Sequence, residues 1–173
     1  MFEDADIDQA VTAAMASKFR NAGQTCVCAD RFLVHSSVHD EFVEKLADRV
    51  GKLKIGPGME AGTTMGPVIT SKAAQDIQQK VDDAIAEGAN CVVGGSRLEQ
   101  SLGPNFLEAT VLTNVSTDSN IWKTETFGPV AAIRSFRTEE EALALANDAD
   151  VGLASYFCTQ NLSRVFRFAS RYV

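Results

Sequence analysis

Asn21-Ala22-Gly23-Gln24-Thr25-Cys26, running on to Arg31-Phe32-Leu33-Val34-His35, marks a change from one kind of structure to another. Before it, Ile7, Val11, Ala14, Met15 and Phe19 recur at helical spacing, and Asp6 or Asp8 stands where an N-cap belongs. Gly23 is the residue type that most often ends a helix in the left-handed conformation. Arg31 to His35 is a short apolar run of the kind that forms a buried strand. A helix therefore leads into a loop and the loop into a strand, and Cys26 falls on the loop.

The same alternation continues downstream. Val38, Phe42, Val43, Leu46 and Val50 predict a second helix ending at Gly51, followed by a polar, glycine-rich loop from Gly56 to Gly66. Ala74, Ile77, Val81, Ala84 and Ile85 form the apolar stripe of a long helix from Ser71 to Glu87, which Gly88 closes before a strand at Cys91-Val92-Val93. Phe106 to Leu112 and Val130 to Phe136 read as strands, and Thr138 to Asn147 as a helix opened by a capping box of Thr138 and Glu141. Leu153 to Cys158 reads as a further strand and Leu162 to Ala169 as an amphipathic helix. Strands alternating with helices of this length predict an α/β fold, layered helix/sheet/helix with a largely parallel sheet, over residues 1–173. Arg171-Tyr172-Val173 still has helix-like sequence, so the chain is expected to be part of a longer protein.

Composition removes several function classes. The formal charge is -7, from 23 acidic and 16 basic residues with no basic run, which argues against nucleic acid as a partner. No stretch approaches the ~18 consecutive apolar residues of a membrane span. The opening Met1-Phe2-Glu3-Asp4-Ala5-Asp6 is acidic where a signal peptide is basic, so a soluble, non-secreted protein of the cytoplasm or mitochondrion is expected. Four cysteines at 26, 28, 91 and 158 and two histidines at 35 and 39 supply no zinc-knuckle spacing, so no metal site is expected. Free thiols in a reducing compartment are the expectation.

Spacing alone leaves Cys26 with two readings: a thiol presented to a cleft, or a small buried core residue. A resemblance separates them. Phe19-Arg20-Asn21-Ala22-Gly23-Gln24-Thr25-Cys26 resembles the active-site cysteine signature of the aldehyde dehydrogenase superfamily, and Glu125-Thr126-Phe127-Gly128-Pro129 resembles that family's second signature. The likeness spans the chain: Asp4-Ala5-Asp6 resembles the segment before the cysteine helix, Met65-Gly66-Pro67-Val68-Ile69 a loop of the family, and Asn147-Asp148-Ala149-Asp150-Val151-Gly152-Leu153 a turn.

The resemblance implies the catalytic domain of the aldehyde dehydrogenase fold and a covalent mechanism. Cys26 would be the nucleophile that attacks an aldehyde carbon, and an NAD or NADP cofactor would take up the hydride. Glu125 would accept hydrogen bonds from the nicotinamide ribose, and Phe127 would pack near the nicotinamide. Without the flanking Gly128-Pro129, Glu125 would read as a surface carboxylate and Phe127 as a core aromatic. Arg20, six residues before Cys26, stands where family members acting on ω-carboxy aldehydes carry an arginine. A guanidinium offers a planar fork for a carboxylate, which makes succinate semialdehyde the expected substrate and glutarate semialdehyde the alternative. Arg20 is otherwise a solvent-facing charge near a helix C-terminus.

Cys28 is a redox-regulatory candidate, because some members carry a cysteine two positions beyond the nucleophile and a Cys26–Cys28 disulfide would block attack. An inert neighbour is the other reading. Cys91 and Cys158, within expected strands, read as packing residues. The family's Glu-Leu-Gly-Gly general base, its dinucleotide-binding domain and its C-terminal segment have no counterpart in the 173 residues. The chain alone is therefore expected to be inactive and the longer protein active, as a homodimer or homotetramer.

Overall fold

Val130, Ala131, Ala132 and Ile133 are consecutive in sequence and none is more than 2% exposed. Successive residues of a strand point to opposite faces, so a sheet buried at every position is covered on both sides. These residues begin the central strand of the computed structural model, which describes residues 1–150 and 152–172. Val151, inside the turn singled out in the sequence, and Val173 lie outside the described residues.

The elements in chain order are α1 (Ile7–Lys18), β1 (Arg31–His35), α2 (His39–Gly51), α3 (Ser71–Ala86), β2 (Asn90–Val93), β3 (Thr110–Thr113), α4 (Asn120–Lys123), β4 (Val130–Phe136), α5 (Glu139–Asn147) and α6 (Leu162–Ala169). The sheet order is β1-β4-β3-β2. β1 and β3 both run parallel to β4, and β2 is antiparallel to β3. The expected α/β architecture with a largely parallel sheet is therefore present. α2 lies over β1, β2 and β3 and packs on α1, while α5 packs on β1.

Helix starts follow the sequence signals. Asp6 caps α1 by accepting from the Gln9 N–H at 2.9 Å, and Thr70 caps α3 from the Ala73 N–H at 3.1 Å. At α5, Thr138 accepts from the Glu141 N–H at 3.1 Å, and the Glu141 carboxylate reaches back to the Arg137 N–H at 2.8 Å. The capping box is thus closed one residue earlier than its standard form, in which the carboxylate meets the N–H of the cap itself.

Two expected strands differ. Phe106 to Leu112 is not one strand, because the chain changes partner within it. Phe106 and Glu108 bond to Leu98 and Ser96, whereas Thr110–Thr113 joins β2 and β4. At the change, Gly94 of the neighbouring segment, at φ +77°, passes so close that a Cβ would lie 2.3 Å from the Ala109 carbonyl oxygen. Leu153 to Cys158 carries no ladder among the described residues; it is held instead by single bonds described below. The single-turn helix α4 carries too few residues for a period to show in the sequence.

The N-terminal residues and α6 are bound to the sheet by aromatic and ionic contacts. Phe2 meets Phe136, Phe157 and Phe168 at ring-centroid distances of 5.1, 5.0 and 5.8 Å. Arg164 of α6 pairs with Glu3, Asp4 and Glu139, and Arg167 pairs with Glu139 as well.

Candidate active site

α1 ends at Lys18, and the chain then reverses through three residues at positive φ: Asn21 at 52°, Ala22 at 53° and Gly23 at 74°. Left-handed geometry is expected of glycine, tolerated by asparagine and uncommon for alanine, so this turn is held by its surroundings. Asn21 is bound through its side-chain amide to the Gln24 carbonyl at 3.0 Å, and Ala22 is buried. Gly23 has no room for any side chain. A Cβ there would lie 2.0 Å from the Gly128 carbonyl oxygen, which means that the two segments resembling family signatures are in direct contact.

Gln24 draws a third segment into the same place. Its amide nitrogen donates to the Asn21 carbonyl at 2.9 Å and to the Pro67 carbonyl at 3.4 Å, and its amide oxygen accepts from the Ile69 N–H at 2.8 Å. Thr25, Cys26, Val27 and Cys28 then form a turn closed by the Cys28 N–H on the Thr25 carbonyl at 2.8 Å. Cys26 is at the centre of that turn and exposed; Cys28 is half-buried, and both are free thiols. Tyr156 clamps the turn from outside by donating its hydroxyl to the Val27 carbonyl at 2.8 Å. Behind the turn, the fully buried Lys18 reaches Asp30 at 2.6 Å, tying the end of α1 to the residue before β1.

The segment 125–129 is built on α3. Ile77 fills the space beside Gly128, where a Cβ would meet its side chain at 2.6 Å. Three residues on, Lys80 donates its ammonium to the Glu125 backbone carbonyl at 2.6 Å. Burial pushes the Lys80 pKa down, against the pull of the Asp30, Glu125 and Asp76 carboxylates. Thr126 is buried, and Phe127 takes φ +49° and is 43% exposed. The Glu125 carboxylate has no hydrogen-bond or ion-pair partner among the described residues.

One cleft of about 590 Å³ is lined by Cys26, Cys28, Trp122, Glu125 and Tyr156 among others. The fold thus brings Cys26, Cys28 and Glu125 together. Arg20 and Phe127 are outside that lining, on the exposed surface of the two segments joined at Gly23 and Gly128. The Arg20 guanidinium has no hydrogen-bond or ion-pair partner among the described residues. Cys91 is exposed on the edge strand β2, which corrects the expectation of a packing residue, and Cys158 is half-buried on the cleft wall. The cleft's other supports, Gln24, Lys18 with Asp30, Lys80 and Tyr156, act through contacts between residues far apart in sequence, which periodicity does not reveal.

An exposed thiol on a hydrogen-bonded turn, in a cleft that a carboxylate also lines, suits covalent chemistry on an electrophile held there. Among the described residues no group of histidine, cysteine and carboxylate side chains could hold a metal ion, and no helix is long and apolar enough to cross a membrane.

Comparison with known proteins places the chain among its relatives. The rat mitochondrial succinate-semialdehyde dehydrogenase is 52% identical over 172 residues, which are 99% of this chain and 32% of that protein. A glutarate-semialdehyde dehydrogenase of Pseudomonas putida is 49% identical over 169 residues, 98% of this chain and 34% of that protein. The crystal structure of succinate-semialdehyde dehydrogenase from Burkholderia pseudomallei superposes with a TM-score of 0.96 at 48% identity, covering 99% of this chain and 35% of that one. The chain thus spans about a third of the length of the relatives it matches. The model of the aldehyde dehydrogenase family matches residues 1–172, and with nearly the whole length accounted for, the chain belongs to that family.

Proposed function

We propose that this chain is the cysteine-bearing part of an NAD- or NADP-dependent semialdehyde dehydrogenase that oxidises succinate semialdehyde to succinate. The observation that carries the reading is the convergence of Cys26 and Glu125, far apart in sequence, on one cleft, with Gly23 seated on Gly128. Cys26 is the nucleophile. Its sulfur adds to the aldehyde carbon, and the resulting alkoxide oxygen needs hydrogen-bond donors at the turn. The turn closed by Thr25 and Cys28 holds the thiol at the cleft wall throughout.

The residues present fit a nicotinamide nucleotide. Glu125 offers a carboxylate with no competing partner, suited to accept from the two hydroxyls of a ribose, and Phe127 offers an exposed ring for apolar packing. When bound, the nicotinamide supplies the two-electron acceptor that aldehyde oxidation requires. Arg20 supplies the substrate preference: its guanidinium, which has no hydrogen-bond or ion-pair partner among the described residues, is a receptor for the distal carboxylate. Glutarate semialdehyde is the second reading, favoured by the 49% identity with the Pseudomonas putida enzyme.

The test uses the longer parent protein with succinate semialdehyde, glutarate semialdehyde and a neutral aldehyde of similar length. Arg20→Met should raise KM for the charged substrates by roughly tenfold or more and leave the neutral one nearly unchanged. An equal effect on all three would remove Arg20 from substrate recognition. Full turnover by a Cys26→Ala parent would remove Cys26 from the chemistry. The 173-residue chain by itself should show no turnover, since no Glu-Leu-Gly-Gly stretch occurs in it.

A further inference from the structure

We infer that Lys80 is a positioning residue for Glu125, and through it for the dinucleotide; this rests on the function proposed above. Glu125 reaches the cleft from a segment with no regular structure, whose direction has to be set by contacts with α3. Two side chains of α3 provide them. Ile77 packs against Gly128, and Lys80, one turn further along the same face, takes the Glu125 carbonyl at 2.6 Å.

The Lys80 bond differs from an ordinary surface contact in three ways. It is charge-assisted, because an ammonium donates to a neutral carbonyl. It is partly desolvated, because Lys80 is half-buried and burial lowers its pKa. It joins residues 45 apart in sequence, so it fixes the segment to the helix and not to its own neighbours. Glu125 itself is exposed, and its carboxylate makes no hydrogen bond or ion pair among the described residues, its charge acting on Lys80 only at longer range. Among the described residues, its backbone carbonyl is the atom of Glu125 that is hydrogen-bonded to a support outside its own segment.

Without the Lys80 bond, the Glu125 carbonyl loses its hydrogen bond to α3 and the carboxylate samples several directions. A ribose would then have to pay for ordering it on binding. The thiol turn at Cys26 is held by other contacts, namely those of Gln24, Thr25 and Tyr156, and should not respond.

The experiment compares Lys80→Met, which keeps the length of the side chain and removes the donor, with Lys80→Arg, which restores a cation, in the parent protein. Kd for NADH and NADPH is read from the change in nicotinamide fluorescence, alongside Tm and the rate of Cys26 alkylation by iodoacetamide. Expected is a roughly tenfold weaker Kd for Lys80→Met with Tm and alkylation near wild type, and substantial recovery in Lys80→Arg. Wild-type Kd in Lys80→Met would overturn the assignment. A weaker Kd accompanied by a fallen Tm and altered alkylation would overturn it too, leaving Lys80 as scaffold only. A wild-type parent that binds neither nucleotide would instead sink the dehydrogenase reading itself, a distinct result because it appears before any variant is made.

Discussion

Gly23 rests against the carbonyl of Gly128 so closely that a Cβ at position 23 would lie 2.0 Å from its oxygen and 2.4 Å from its carbon. The cysteine turn and the Glu125 segment are therefore fitted to one another as backbone on backbone. Gly23→Ala would introduce both this clash and an L-residue at φ +74°. Neither partner is the flexible end of a side chain, so relief requires the two segments to separate. We expect Gly23→Ala to lower stability by about 2 kcal/mol or more, read as a fall in Tm, and to abolish turnover in the parent. A variant with unchanged Tm would contradict the contact.

Lys18 is 0% exposed and has Asp30 at 2.6 Å. Removing the carboxylate leaves a buried ammonium without its counter-charge, which typically costs about 3–5 kcal/mol. Asp30→Ala should accordingly destabilise far more than substitution of an exposed pair such as Lys52–Asp48, expected to be worth under about 1 kcal/mol. Denaturant unfolding of the two variants side by side checks the ranking.

Acid should release α6 before the sheet. The Arg167 guanidinium, with Arg164 beside it, holds the Glu139 carboxyl below its ordinary value of 4.5, partly opposed by burial. A carboxyl with a lowered folded pKa stabilises the fold fully above its unfolded value and loses that contribution as pH falls through the folded one. Amide protection in residues 162–170, measured relative to the intrinsic exchange rate, should thus fall below pH 4.5 and hold between pH 8 and 6. Glu139→Gln should remove only part of that acid dependence, because Glu3 and Asp4, also held low beside Arg164, retain the rest.

Cys26 and Cys28 line the same cleft as free thiols, and we propose that oxidation joins them. Diamide would take two electrons and two protons from the pair, leaving one disulfide and a reduced hydrazine. Wild-type protein should then lose two alkylatable thiols and its activity together, and dithiothreitol should restore both. Cys28→Ser should resist. Persistent inactivation of that variant under the same treatment would assign the effect to Cys26 alone.

The parts of the fold legible in the sequence are those governed by short-range rules. α1, α2, α3 and α5 announce themselves through apolar spacing and caps, and β1 and β4 through dense apolar runs. Phe106 to Leu112 misleads because its residues are alike in character while their partners change at Ala109, where Gly94 from elsewhere in the chain passes close. Leu153 to Cys158 has strand-like composition, but composition does not supply a neighbour to pair with. At the site, Cys26 and Glu125 were marked by resemblance and meet in the cleft. Lys80 and Tyr156 gave no such signal, and Gln24 stood inside the first signature without its bonds being legible, since each matters for a bond to a carbonyl or N–H that any residue type would present.

Tyr156 bonds to Val27 across a separation of 129 residues. The turn that carries Cys26 is therefore fastened to a segment synthesised 129 residues later, so its full set of hydrogen bonds forms only after that far segment has been made.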